Sequence, residues 1–309
     1  MKVVRSVVRS VVCAVVATAA IAVPIAAQTI TLGGTNRSGA GSMVGKGNAI
    51  SVNKSVMVHS FEMYMDIPGV ETLTFYVYQH DVATKQSFKL VKSWNVKVNG
   101  TGLGSKWYSS GFNATYLLCG NSYILGVSWP GMNKYYFDVK ACTQEKLPFG
   151  TWLSGSTVAH PLPPRESVWC DGAMYYQRIT TTALSTVNCV GTGCSTSGPA
   201  PRLLASTAPV IGTTLKIDVA FGALPTPTAF LLSPTRALTN PIPLFGCSIW
   251  LDLRLPVLTF VIPVNGSGEV TLNIPIPLNP NLRGTRFAVQ AGVLRPNLDI
   301  TNALDLTLF

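Results

Sequence analysis

Along most of this chain, hydrophobic and polar positions alternate in steps of two. Phe61, Met63 and Met65 alternate with Glu62, Tyr64 and Asp66, and Leu73, Phe75 and Val77 with Thr74, Tyr76 and Tyr78. Trp94, Val96 and Val98 follow, then Phe112, Ala114 and Tyr116, then Tyr123, Leu125, Val127 and Trp129, then Tyr135, Phe137 and Val139. A period of two places every second side chain on one face, as in antiparallel strands buried on one side only. Turn-forming clusters separate the segments: Asn99-Gly100-Thr101-Gly102, Cys119-Gly120-Asn121 and Pro130-Gly131-Met132-Asn133. The Gly/Ser/Asn-rich stretch Leu32 to Asn48 reads as an irregular arm ahead of the first strand. Short strands at such spacing predict a β-sandwich or jelly roll.

The pattern resumes further on. Leu215, Ile217, Val219 and Phe221 alternate with Lys216, Asp218 and Ala220, Ile249, Leu251 and Leu253 with Trp250, Asp252 and Arg254, and Val270, Leu272, Ile274 and Ile276 with Thr271, Asn273 and Pro275. Phe287, Val289, Ala291 and Val293 and the closing Leu304, Leu306 and Leu308 complete the series. Asn265-Gly266 is a hairpin signal. Pro275 and Pro277 lack an amide donor and place their strand at a sheet edge. Between the two runs, residues 186–201 have the Cys/Gly/Ser/Pro composition of a linker. The predicted fold class is therefore all-β, with two antiparallel β-sandwich (jelly-roll-like) domains at 28–185 and 202–309.

The first 27 residues read differently. Lys2, Arg5 and Arg9 precede an apolar run from Ser10 to Ile25, and Ile25 and Ala27 suit the −3 and −1 positions of a signal-peptidase site. That run is shorter than the roughly 20 residues a membrane helix needs. The expectation is a cleaved signal peptide at 1–27, no transmembrane span after it, and a secreted, periplasmic or cell-surface protein. Loss of the three leader cations lowers the net charge from +10 to +7. A mild excess spread over two domains is a matter of solubility, so no nucleic-acid partner is expected. The last strand is expected to run to the final residue, which leaves only non-covalent surface attachment.

Export changes the meaning of the cysteines. Cys119, Cys142, Cys170, Cys189, Cys194 and Cys247 lie beyond the leader, and an even number in an oxidising compartment predicts disulfides. Cys189 and Cys194, which enclose only Val-Gly-Thr-Gly, are the most readily paired. No CxxC or Cys/His cluster with zinc spacing is present, and the sequence predicts no metal and no cofactor.

The second half resembles a C-terminal β-sandwich of exported proteins from environmental bacteria, through Pro209-Val210-Ile211-Gly212-Thr213-Thr214-Leu215, Phe245-Gly246-Cys247, Ile274-Pro275-Ile276-Pro277 and Leu282-Arg283-Gly284-Thr285-Arg286-Phe287-Ala288-Val289-Gln290-Ala291. The first half resembles a jelly-roll module found ahead of other exported domains, through Phe75-Tyr76-Val77-Tyr78, Trp107-Tyr108-Ser109-Ser110-Gly111 and Tyr123-Ile124-Leu125-Gly126-Val127. These resemblances imply architecture and export, and no catalytic residues.

Aromatic residues give the main functional signal. Trp107, Tyr108, Trp129, Tyr135, Tyr136, Trp152, Trp169, Tyr175 and Tyr176 crowd the first half. In loops, such rings stack on the apolar C–H faces of sugars while neighbouring Asn, Asp and Lys bond the hydroxyls. Core filling competes as an explanation for the same rings. The expected ligand-binding set is Trp107, Tyr108, Trp129, Tyr135, Trp152 and Trp169, with a polysaccharide or an envelope component as the partner. The competing classes are a glycan-active hydrolase using acids near Glu166 and Asp171, with His160 close by, and a structural envelope protein. His59, His80 and His160 show no ligand spacing, and Gly126-Val127-Ser128-Trp129 reads as a strand rather than a nucleophile elbow. Lys89 and Lys97 occupy outward strand positions, where charge discourages strand-to-strand aggregation.

Overall fold

The computed structural model describes residues 27–80, 87–140, 143–167, 171–195, 198, 200–220, 227–244, 246–263, 269–294 and 298–309. The expected signal peptide, Trp169, Cys142, Cys170 and the Asn265-Gly266 turn lie outside the described residues. The described chain is all-β, apart from a single 3-10 turn at Pro280–Leu282. All its strand pairs are antiparallel.

Two sheets build the first half. One runs in the order Gln28–Leu32, Gln177–Ala183, Val56–Asp66, Asn133–Val139, Ala173–Tyr175. Arg37–Gly41 joins Asn133–Val139, while Ser105–Ser109 and Thr115–Leu117 join Val56–Asp66, giving eight strands. The other, of seven strands, runs Glu145–Leu147, Gly150–Ala159, Val44–Val52, Ser122–Trp129, Val70–His80, Ser87–Asn99, Arg165–Ser167. The alternating apolar sets meet between them. Phe61, Met63 and Met65 from the first sheet pack in one cluster with Leu73, Phe75, Val77, Leu125, Val127, Trp129 and Trp152 from the second. A one-residue slip would turn each set out to water, so this burial fixes the register.

Two expectations are corrected. The stretch expected to be an irregular arm contains Arg37–Gly41 and the internal strand Val44–Val52. Its glycines serve close packing rather than looseness. A Cβ on Gly47 would lie 2.6 Å from the Leu125 carbonyl oxygen, and one on Gly39 would lie 2.7 Å from the Tyr135 ring. The Phe112, Ala114, Tyr116 set does not form a core-facing strand. Thr115–Leu117 is the strand; Leu117 points in, Tyr116 points out and Phe112 is 79% exposed.

A second apolar layer lies outside the seven-stranded sheet. Tyr76, Tyr78, Phe88, Ile124 and Val158 pack beneath the segment that follows Ala159, with Leu162 against them and the Tyr78 hydroxyl donating to the Pro163 carbonyl at 2.6 Å. The buried hydroxyls of Tyr76, Ser154 and Ser156 have no hydrogen-bond partner. Burying an unpaired hydroxyl costs about 1–3 kcal/mol. Tyr76→Phe is therefore expected to raise the free energy of unfolding by about 1 kcal/mol, read from urea denaturation; a loss of that size would show that the hydroxyl has a partner after all.

The second half has a five-stranded sheet, ordered Val187–Val190, Leu298–Thr307, Arg286–Leu294, Thr228–Ser233, Leu258–Ile262. A three-stranded sheet runs Arg202–Ala205, Thr214–Ala220, Glu269–Pro275, and a hairpin joins Ile242–Leu244 to Cys247–Ile249. Leu215, Ile217, Val219, Val289, Ala291, Val293, Leu304 and Leu306 form the core. The proline-bearing strand Glu269–Pro275 is an edge strand.

Part of the expected linker is thus built into this half, since Val187–Val190 pairs with Leu298–Thr307. That pairing also overturns the expected Cys189–Cys194 ring. Cys189 lies opposite Leu304 and Cys194 opposite Ile300. These partners lie four residues apart along one strand, roughly 13 Å at about 3.3 Å each, beyond the ~7 Å limit for Cα atoms of a disulfide. The observed bridges are Cys119–Cys189 and Cys194–Cys247. The first ties the two halves together. Leu118 and Cys119 sit in the core of the second half, the Asn121 amide donates to the Ala205 carbonyl at 3.2 Å, and the Arg202 guanidinium to the Gly120 carbonyl at 2.9 Å.

Candidate functional site

The outer face of the eight-stranded sheet follows from the same alternation. Because Phe61, Met63 and Met65 point inward, Glu62, Tyr64 and Asp66 point outward. The register sets Trp107 opposite Tyr64, Ser109 opposite Glu62 and Ser105 opposite Asp66. Lys134 also pairs with Asp66, which brings Tyr136 to the same face. On the other side the Tyr64 amide donates to the Tyr176 carbonyl at 3.0 Å.

Four half-buried rings meet there. Tyr64 lies 5.2 Å from Trp107, 5.3 Å from Tyr136 and 5.2 Å from Tyr176, centroid to centroid, and Trp107 lies 4.5 Å from Tyr176. The rings are tilted or edge-on, the orientation their quadrupoles favour. The Arg178 guanidinium sits 4.0 Å over the Trp107 ring and pairs with Glu62 at 2.7 Å. Lys134 sits 5.2 Å over the Tyr136 ring, whose hydroxyl lies 2.6 Å from the Ser105 hydroxyl. A half-exposed ion pair of this kind adds little stability, about 1 kcal/mol; its effect here is to hold the guanidinium flat on the indole. The result is an aromatic surface held in place by its neighbours and edged by hydrogen-bonding groups of both charges.

Of the six residues expected to bind a ligand, Trp107 alone reaches this surface among those described. Tyr108, Trp129 and Trp152 belong to the buried core, and that part of the expectation is corrected. Trp129 donates its indole N–H to the Gly41 carbonyl at 2.8 Å, and Trp152 to the Asn48 side-chain oxygen at 3.0 Å. Their polar handles are satisfied internally, and no ring face is left for a ligand. Tyr135 packs against the core at one end of the sandwich, where the Lys46 ammonium lies 5.0 Å over its ring and 5.4 Å over that of Tyr175. Lys46 donates to the Thr157 hydroxyl at 2.7 Å, and burial holds its pKa below that of an ordinary lysine. Sequence reasoning missed Tyr64 and Arg178. The outward position of Tyr64 between Met63 and Met65 was the available signal.

The residues named for a hydrolase each bond to partners of their own. Asp171 accepts from the Tyr175 hydroxyl at 2.6 Å and the Ala173 amide at 3.0 Å. Glu166 accepts from the adjacent Ser167 amide, and His160 lies 3.1 Å from the Ser128 hydroxyl. Ser128 is fully buried near the end of Ser122–Trp129, out of a substrate's reach. Among the described residues no cluster of His, Cys, Asp and Glu could hold a metal ion. Among them, too, no helix is long and apolar enough to cross a membrane.

No known protein family matches this chain. No curated protein matches it either. Among solved structures, a chain titled "pT26-6p" is 12% identical, with 88% of this chain and 66% of that chain covered, and a TM-score of 0.15. This chain thus spans slightly under two thirds of that chain, and the likeness is too slight to bear on fold or function.

Proposed function

We propose that this is an exported, non-catalytic binding module that holds a neutral polysaccharide on the outer face of its eight-stranded sheet. The observation that carries the reading is the outward quartet of Tyr64, Trp107, Tyr136 and Tyr176. Rings facing water on a sheet are justified when an apolar surface comes to cover them, and the C–H faces of sugar rings match their size and flatness. The charges around the quartet support a neutral ligand. Arg178 is paired with Glu62, and Lys134 stands opposite Asp66, so neither sign prevails. Serine and carboxylate groups at the edge supply partners for hydroxyls. Two disulfides agree with an oxidising compartment and so with export.

The test is affinity electrophoresis through gels containing soluble neutral glucans, mannans, xylans or galactans. Retardation by at least one is expected. Trp107→Ala is expected to weaken that binding by about 30-fold or more, some 2 kcal/mol, the loss typical of a central aromatic anchor. The far-UV circular dichroism should not change, because the ring lies outside the core. Retention unchanged in Trp107→Ala, or no retention by any polymer, would count against the reading.

A further inference from the structure

The second half carries an open sheet edge without charge. Leu258–Ile262 ends the five-stranded sheet and pairs on one side with Thr228–Ser233, from Leu232 opposite Leu258 to Thr228 opposite Ile262. No described strand pairs with its other side. An edge strand ordinarily buries one face on the core. Here Val261 is 67% exposed and Phe260 38%, neighbours that point to opposite faces, while Leu258 and Ile262 are half-buried. Apolar side chains of both faces therefore meet water, and among the described residues no strand takes up the outer N–H and C=O groups between them. From Leu255 to Gly268 no residue bears a charge, and the preceding Leu253 and Leu255 are exposed as well.

The seven-stranded sheet of the first half protects its edges in the opposite way. Its terminal strand Arg165–Ser167 carries an arginine and a glutamate, the part of Ser87–Asn99 beyond that short strand displays Lys97, and Glu145–Leu147 at the other end displays a glutamate and a lysine. Such charges resist strand addition. The bare edge of the second half has no such guard, although the same chain uses guards elsewhere.

We propose that two copies of this chain join here, strand to strand and antiparallel, about a two-fold axis through Phe260. A partner strand carrying charge would be dehydrated against Phe260 and Val261 with nothing to offset it, whereas a copy of the same strand brings none. The two-fold pairing sets Leu258 opposite Ile262, Thr259 opposite Val261 and Phe260 opposite itself. Aromatic and β-branched cross-strand pairs of this kind are favourable, and no like charges meet. The contact uses one patch on both subunits, as a closed dimer requires. It turns two five-stranded sheets into one of ten and satisfies both open edges.

Sedimentation velocity of the purified protein at micromolar concentrations is expected to show a dimer. Val261→Lys restores the missing guard and is expected to raise the dimer dissociation constant by at least about tenfold, with unchanged circular dichroism. Register is read by cysteine trapping. Phe260→Cys stands opposite its own copy and is expected to form a disulfide-linked dimer under oxidising conditions, whereas Thr259→Cys faces Val261 and is not. A monomeric wild type, a Val261→Lys protein that still dimerises, or equal cross-linking at both positions would overturn the proposal.

Discussion

Trp152→Ala is expected to lower the free energy of unfolding by about 4 kcal/mol. The ring is fully buried between the two sheets of the first half, so its loss leaves a large cavity that surrounding strands cannot close. The mutation also disturbs a polar node. The Asn48 side-chain oxygen accepts from the Trp152 indole at 3.0 Å and from the Tyr175 amide at 3.1 Å, and its amide donates to the Tyr175 carbonyl at 3.0 Å and to Gln177 at 3.1 Å. This node holds Val44–Val52 of one sheet against Tyr175 and Gln177 of the other. A loss of about 4 kcal/mol is a large share of the 5–15 kcal/mol of a typical domain, and corresponds to a fall in Tm of roughly 10 °C. Thermal unfolding followed by circular dichroism measures it. A fall of only a degree or two would mean that Trp152 is not a core residue.

Removal of the Cys119–Cys189 bridge, as Cys119→Ala with Cys189→Ala, is expected to have a comparable effect. The bridge spans 70 residues, and releasing a loop of that length from the unfolded chain costs about 4 kcal/mol in the loop-entropy account. The bridge also couples the halves, because Cys119 lies in the core of the second while its strand neighbours belong to the first. Urea denaturation without reductant is expected to show a lower midpoint and two separated transitions in place of one. A single transition at the wild-type midpoint would contradict both expectations.

Strand content and facing were legible wherever one side of a strand meets the core and the other meets water. Met63 and Met65 against Glu62 and Tyr64 is the plainest instance. Three features were not. Val44–Val52 is rich in glycine, a residue that marks loops and also marks places where no side chain fits; Gly47 beneath the Tyr76 hydroxyl is the second kind, and composition cannot separate the two. Phe112 and Tyr116 carry the right letters for a core strand, but the chain meets its partner one residue out of step, so Leu117 enters the core instead. The cysteine pairing depends on which strands lie side by side, and nearness in sequence misled because Cys189 and Cys194 stand opposite different residues of Leu298–Thr307, Leu304 and Ile300.

The candidate site was legible only in part, for a related reason. An excess of aromatic residues is a property of composition, whereas a binding face is a property of parity. Trp107 and Tyr108 are adjacent, and one step along the strand sends the first out to solvent and the second into the core. Tyr64, Tyr136 and Tyr176 become a group with Trp107 only when Val56–Asp66 and Asn133–Val139 are neighbours.

The central claim, that ligands lie on this outer face and nowhere near the buried indoles, is tested most directly by labelling the tryptophan indoles with 15N. Their N–H resonances would be assigned by substitution and followed by NMR as the retarding polysaccharide is added. The Trp107 indole is expected to shift progressively to saturation while those of Trp129 and Trp152 stay in place. Saturable shifts at Trp129 or Trp152 with none at Trp107 would contradict it.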